Sequence, residues 1–264
     1  MKARLLLLFV LSLISSASAF ALDAQDLEPV NFEQKLGATI PLGVTFRDDH
    51  GREVELGELF EARPVLLVMG YYQCPMLCTL TGNGLVGALS GMRAEPGDDF
   101  EIVWISIDPM ETTDMAAMKK ESYFRHYGRG TADGWHFLTG KEETIRKIAD
   151  AIGFEYRYDP EIQQYAHASG IVVLTPAGRI SKYLLGINYP SETLQQAITD
   201  ASQTKVGKLS SPLLLLCYHF SPIIGKYGWL ILWLVRGLGA VTIIAIAGAV
   251  IHFTRRERTK EETA

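Results

Sequence analysis

Cysteine is scarce in this sequence, at three residues in 264, so disulfides are not the scaffold of the chain as they are in secreted miniproteins. Basic charge is also in short supply. Between positions 20 and 226, 18 Lys and Arg face 27 Asp and Glu, a balance of −9 that argues against a nucleic-acid-binding surface and against nucleic acid as a partner. No internal repeat is visible. With 48% hydrophobic and 21% charged residues the composition is neither disordered nor fibrous. A chain of 264 residues accommodates one domain of about 150 to 200 residues with additions, or two small ones.

The middle lacks any long run of membrane-spanning character; such runs occur only at the two ends. Lys2 and Arg4 precede the apolar run from Leu5 to Ile14, and the small residues Ser15 to Ala19 follow it. This is the pattern of a secretory signal peptide. Ala17-Ser18-Ala19 is a cleavage site that leaves Phe20 first, and Ala19-Phe20-Ala21 would serve equally well. An uncleaved anchor is the alternative, because Leu5 to Leu22 approaches spanning length. At the other end Trp229 to Phe253 is apolar except for Arg236. Its uninterrupted part from Gly237 covers about 25 Å at a helical rise of ~1.5 Å per residue, which nearly crosses a bilayer core. Arg255, Arg256, Arg258 and Lys260 follow it, so the positive-inside rule places the C-terminus in the cytoplasm and the preceding domain outside. The expected location is a bacterial-type inner membrane, with one C-terminal span and the functional domain on the periplasmic or extracytoplasmic side.

Between the ends the pattern alternates strand and helix. Pro41 to Phe46 and Arg52 to Leu56 flank the turn cluster Asp48-Asp49-His50-Gly51 and predict a hairpin. Pro64 to Tyr71 and Phe100 to Ile107 are continuous apolar runs, as expected of central strands covered on both faces. Helices are expected over Leu77 to Met92, despite Gly82, Gly84 and Gly87, and from about Thr112 to Tyr127. A short strand over Trp135 to Leu138, a helix over Glu142 to Ile152, a hairpin of Ile171 to Thr175 with Ile180 to Leu185, and a helix over Ser191 to Ala201 follow. A parallel βαβ half followed by an antiparallel hairpin and a helix is a thioredoxin-like order, so the expected fold is α/β, thioredoxin-like, with a C-terminal transmembrane helix.

Cys74-Pro75-Met76-Leu77-Cys78 follows a buried strand and opens a helix, which is where an α/β fold exposes reactive groups. Thiols at i and i+4 can face one another on a first helical turn, where the positive end of the helix dipole favours thiolate. In an oxidising compartment such a pair is a disulfide, a redox couple or a metal clip. Among six histidines, His167 stands in Tyr165-Ala166-His167-Ala168-Ser169-Gly170, expected to be a loop that enters the strand beginning at Ile171 and passes beside the cysteine turn. A Cys, Cys, His donor set suits copper, with two thiolates holding Cu(I) and the imidazole helping to accept Cu(II). Zinc would want a fourth ligand.

These residues resemble the Sco/SenC family of thioredoxin-like copper proteins. The resemblance covers roughly residues 37 to 202 and rests on three ordered motifs: Cys74-Pro75-Met76-Leu77-Cys78, Ser106-Ile107-Asp108-Pro109, and His167-Ala168-Ser169 before a strand. It implies that Cys74, Cys78 and His167 are copper ligands, that Asp108 is a polar neighbour of the site, and that the task is maturation of the dinuclear copper centre of cytochrome c oxidase. The implied partner is subunit II of that oxidase or another exported cuproprotein. Thr79 stands where the family usually repeats a proline, Ala166 where an aspartate usually precedes the histidine, and the anchor is C-terminal where an N-terminal one is usual. Asp108 could equally be a turn residue before Pro109.

The resulting organisation is a signal peptide (1–19), an N-terminal extension (20–36), a thioredoxin-like domain (37–202), a membrane-proximal tether (203–228), a transmembrane helix (229–253) and a cytoplasmic tail (254–264). The expected function is that of a metallochaperone rather than an enzyme. The alternative is a thiol–disulfide oxidoreductase in which Cys74 and Cys78 form a redox-active disulfide and reduce the cysteines of that copper site or of another exported protein. Cys217 and His219, at the start of the membrane-proximal stretch, form a weak accessory metal motif better explained by packing at the bilayer surface.

Overall fold

The computed structural model describes residues 32–74, 77–160, 163–209, 233–244, 246 and 248, with backbone alone at 77 and 78. The expected signal peptide, Cys217 with His219, the cytoplasmic tail and much of the proposed span lie outside these residues. Residues 233–244 are helical, and among the described residues no helix is long and apolar enough to cross a membrane.

The expected hairpin is present as β1 (Thr45–Arg47) and β2 (Glu53–Glu55), paired antiparallel. Its turn is closed by the Asp48 carboxylate, which accepts from the backbone N–H groups of His50 and Arg52 and from Arg52 Nε at 2.8–2.9 Å. A 3-10 helix, Leu56–Phe60, then leads to β3 (Val65–Met69), the helix α1 (Leu77–Ser90) and β4 (Glu101–Ile105). Every residue of β3 and β4 is buried, as continuous apolar runs require when helices or loops cover both faces.

The helix α2 (Thr113–Tyr127) starts at Thr112, whose hydroxyl accepts from Met115 N, and ends at Gly128 in the left-handed region (φ 71°). β5 (Trp135–Leu138) and α3 (Glu142–Ile152) fall on their expected positions. The sequence pattern does not anticipate the next elements. Residues read as connection form a second hairpin of β6 (Tyr156–Asp159) and β7 (Gln164–His167), which pair antiparallel with Tyr156 opposite His167. β8 (Gly170–Leu174), β9 (Ile180–Leu185) and α4 (Ser191–Ser202) complete the domain.

The main sheet has the order β5-β4-β3-β8-β9, with β3, β4 and β5 mutually parallel and β8 antiparallel to both β3 and β9. β3 is therefore central, and its C-terminal end lies level with the start of β8, since Val68 pairs with Ile171. That register brings two sequence-distant segments to one end of the sheet: the turn after β3 and the chain entering β8. Packing also extends beyond the limits 37 and 202. Phe32 is buried against Phe154 and Tyr183 with ring centroids 5.0 and 5.7 Å apart, and Gly207 N donates to Ser181 O at 2.9 Å.

Candidate metal centre

The cysteine turn begins where β3 stops. Gly70 extends the ladder by one residue, donating to Ile105 O at 3.2 Å and accepting from Ile107 N at 3.3 Å. The chain then turns, and Cys74 N donates back to Tyr71 O at 3.4 Å. Turning leaves the N–H groups of Tyr72 and Gln73 without strand partners, and buried donors must find acceptors. Both find Glu111. Its Oε2 accepts from Tyr72 N and its Oε1 from Gln73 N, each at 2.7 Å, and Ser106 Oγ donates to Oε2 at 2.5 Å. Burial pushes the Glu111 carboxyl above its ordinary value, against the pull of the Ser106 hydroxyl and the two N–H groups. The Tyr72 phenol adds a second anchor, bonding Leu138 O at 2.7 Å, and burial first of all drives its ionisation far out of range.

Cys74 is buried at the end of this turn. It precedes the described helix, which starts at Leu77 and carries Cys78 as its second residue; Pro75 and Met76 lie outside the described residues. Thr79 ties the turn to the helix. Its hydroxyl donates to Cys74 O at 3.4 Å and accepts from Lys119 Nζ at 3.5 Å.

His167 is the last residue of β7, not part of a loop as expected. Its ring lies 6.0 Å from that of Tyr71, edge to face, and 5.8 Å from that of Phe154. The structure thus brings His167 beside the residue that begins the cysteine turn. A second tie is the hydrogen bond between the buried hydroxyls of Thr81, on α1, and Ser169, two residues after the histidine. The imidazole is oriented by the backbone: Nδ1 is 2.7 Å from Ala168 O. A carbonyl oxygen only accepts, so Nδ1 carries the proton and Nε2 the lone pair in the neutral ring. A hydrogen bond of this kind fixes the tautomer and the orientation of a ligating ring.

Asp108 serves the turn. Its Oδ1 accepts from Met110 N at 2.9 Å and its carbonyl from Glu111 N at 3.2 Å, so it shapes the loop that delivers Glu111. Burial foremost, and the Asp108 charge after it, push the Tyr165 phenol up to about 12. Tyr165 in turn packs on Tyr71 at 5.6 Å. Sequence reasoning missed Glu111 and Tyr165. The one available signal was an acid three residues beyond Asp108 in a loop after a central strand, which alone is unspecific. Among the described residues no group of three His, Cys, Asp or Glu is placed to hold a metal ion; the Cys78 side chain is not among them.

The family model SCO1/SenC matches residues 39–203, more than half of the chain. A protein of Stutzerimonas stutzeri, provisionally named as copper-binding, is 22% identical over 130 residues, covering 48% of this chain and 60% of its own length. The chain thus spans about three fifths of that relative. Among solved structures, a protein of Aquifex aeolicus provisionally named for electron transfer is 25% identical with a TM-score of 0.58, over 65% of this chain and 96% of its own. Arabidopsis thaliana ScoI, crystallised with copper bound, shares the fold at 18% identity and a TM-score of 0.51, over 62% of this chain and 99% of its own. The α/β, thioredoxin-like architecture is shared with these structures.

Proposed function

Because the chain belongs to the SCO1/SenC family, we propose that it is a membrane-anchored copper carrier that takes Cu(I) and Cu(II) as cargo on Cys74, Cys78 and His167. Its client in this reading is the dinuclear copper site of cytochrome c oxidase subunit II, or another exported cuproprotein. The exported domain stands outside a bacterial-type inner membrane, held by a C-terminal span with its tail in the cytoplasm, and its leader is a cleaved signal peptide. The carrying observation is the imidazole: backbone-oriented, with its lone pair on Nε2, against the ring of Tyr71, whose carbonyl takes the N–H of Cys74. Two sulfur donors and one nitrogen donor are a set in which thiolates satisfy Cu(I) and imidazole adds what Cu(II) requires. The copper-binding name of the Stutzerimonas stutzeri relative supports the same cargo.

The test is titration of the reduced full chain with each ion. One Cu(I) and one Cu(II) per chain are expected, the latter with a thiolate-to-copper charge-transfer band that Cys74→Ser, Cys78→Ser and His167→Ala each remove. Absence of the band and of tight binding in the wild-type chain would refute the reading. Disulfide exchange is the second reading, favoured by the position of Cys74 at a strand-to-helix turn tied down by Thr79. It requires that His167→Ala leave reduction of a model disulfide intact while Cys74→Ser abolishes it.

A further inference from the structure

We infer that Glu111 is a positioning residue that fixes the separation between the Cys74 sulfur and the His167 imidazole. The inference rests on the copper reading above and deepens it.

Glu111 stands 37 residues beyond Cys74 and 56 before His167 along the chain, yet its carboxylate lies where the two halves of the donor set meet. It holds the N–H groups of Tyr72 and Gln73, the two residues between Tyr71 and Cys74. With those two peptides fixed, both ends of the turn are fixed. One end places Cys74. The other places the Tyr71 ring, which is buried and in contact with both His167 at 6.0 Å and Tyr165 at 5.6 Å. Tyr165, on the histidine strand itself, thus packs on the same ring that the turn holds in place. The segment from Ser106 to Glu111 therefore works as a bracket: the Glu111 carboxylate holds the turn, and the turn holds both the Cys74 backbone and the ring that meets the imidazole.

The geometry needs a carboxylate and no shorter or neutral group. Each oxygen serves a different backbone N–H, both at 2.7 Å, and Oε2 also takes the Ser106 hydroxyl. A glutamine has one acceptor oxygen, and its NH2 would face a backbone N–H, donor against donor. An aspartate is shorter by a methylene. Either change releases one end of the turn while leaving β3 and β4 as they are.

Two thiolates suffice for Cu(I), whereas Cu(II) also calls on the imidazole. A loosened separation between sulfur and ring therefore penalises Cu(II) and largely spares Cu(I). A change that only loosened the fold would weaken both ions alike.

The experiment uses the full chain as wild type, Glu111→Gln, Tyr71→Leu and, as an exposed control remote from the bracket, Lys147→Gln. Cu(I) affinity is read by competition with a chromophoric chelator, and Cu(II) affinity by the charge-transfer band and spin resonance. Amide hydrogen exchange is read on the metal-free chain. For Glu111→Gln we expect Cu(II) affinity to fall by about tenfold or more, the usual effect of removing an outer partner of a ligand, with Cu(I) changed by less than about threefold. Exchange at Tyr72 and Gln73 should accelerate while Val68 and Ile105 stay protected. Tyr71→Leu leaves the Glu111 bonds in place and removes the ring against His167, so it should show the same selective loss of Cu(II); should Glu111→Gln not fold, Glu111→Asp takes its place and is read in the same way. Cu(II) affinity kept within about threefold, or equal loss of both ions, overturns the inference. A wild-type chain that binds neither ion overturns the copper reading instead, and unchanged exchange at Tyr72 and Gln73 in Glu111→Gln still refutes the bracket on its own.

Discussion

Two glycines three residues apart on α1 should respond to the same substitution with opposite signs. An added Cβ at Gly84 would lie 1.8 Å from the carbonyl oxygen of Ile187, and that oxygen belongs to backbone that cannot rotate away. Restoring even a 3.0 Å contact means opening the gap by about 1.2 Å, which moves the helix off the loop preceding α4. An added Cβ at Gly87 meets nothing within 4 Å. Overpacking of this kind costs about 1–3 kcal/mol and sometimes more. The helical preference of alanine over glycine returns about 0.8–1 kcal/mol at both positions. Gly84→Ala should therefore destabilise by roughly 2 kcal/mol after the propensity gain is counted, and Gly87→Ala should stabilise by about 1 kcal/mol. Urea unfolding followed by the fluorescence of the buried Trp104 and Trp135 reads the difference. With a urea dependence near 2 kcal/mol per M, the two midpoints should separate by about 1.5 M. Midpoints that agree within about 0.3 M, or a Gly87→Ala variant less stable than wild type, would refute the claim that close backbone packing requires glycine at 84 and not at 87.

Tyr183→Phe should cost about 1–3 kcal/mol in the same assay, because its hydroxyl donates to Ile152 O at 2.9 Å and accepts from Lys35 N at 3.0 Å, pinning the N-terminal segment to the core. Asp48→Asn should flatten the acid limb of stability. Burial pushes the Asp48 carboxyl up, but the hydrogen bonds from Arg52 and His50 outweigh it and hold the group below its ordinary 3.8. A depressed folded value stabilises fully above the unfolded value and is lost as the pH falls through the folded one, so wild type and variant should differ by a constant amount above about pH 4 and converge as the pH falls below it. Curves that stay parallel as the pH falls would remove Asp48 as the closing group of the first hairpin.

The elements that could be read from sequence were those in which one physical demand dominates. β3 and β4 are apolar throughout because both their faces are covered, and α2 starts at a threonine able to cap it. The β6–β7 hairpin obeys no such rule. Only Tyr156 among the residues of β6 is buried, and the pair is held by rings: Tyr156 and Tyr158 on Tyr165 at 6.0 and 5.0 Å, and Arg146 over Tyr156 at 3.7 Å. Without alternating apolar residues, the segment reads as connection. The candidate ligands were legible because soft donors are rare and their spacing is informative. Glu111 was not, since its role consists in accepting from two backbone N–H groups nearly forty residues away, and backbone groups leave no mark in the sequence.

Sheet register also settles which end of the domain the C-terminal tail leaves from. Ile180 pairs with Leu174, and Leu174 with Val65, so the start of β9 lies level with the start of β3. The tail runs along that start, with Gly207 N on Ser181 O and Ser181 Oγ on Lys205 O at 2.7 Å. Cys74 lies beyond the other end of β3, a strand of five residues and about 17 Å. The tail therefore departs from the pole opposite the cysteine turn, whereas Phe32 packs on Phe154, whose ring also touches His167.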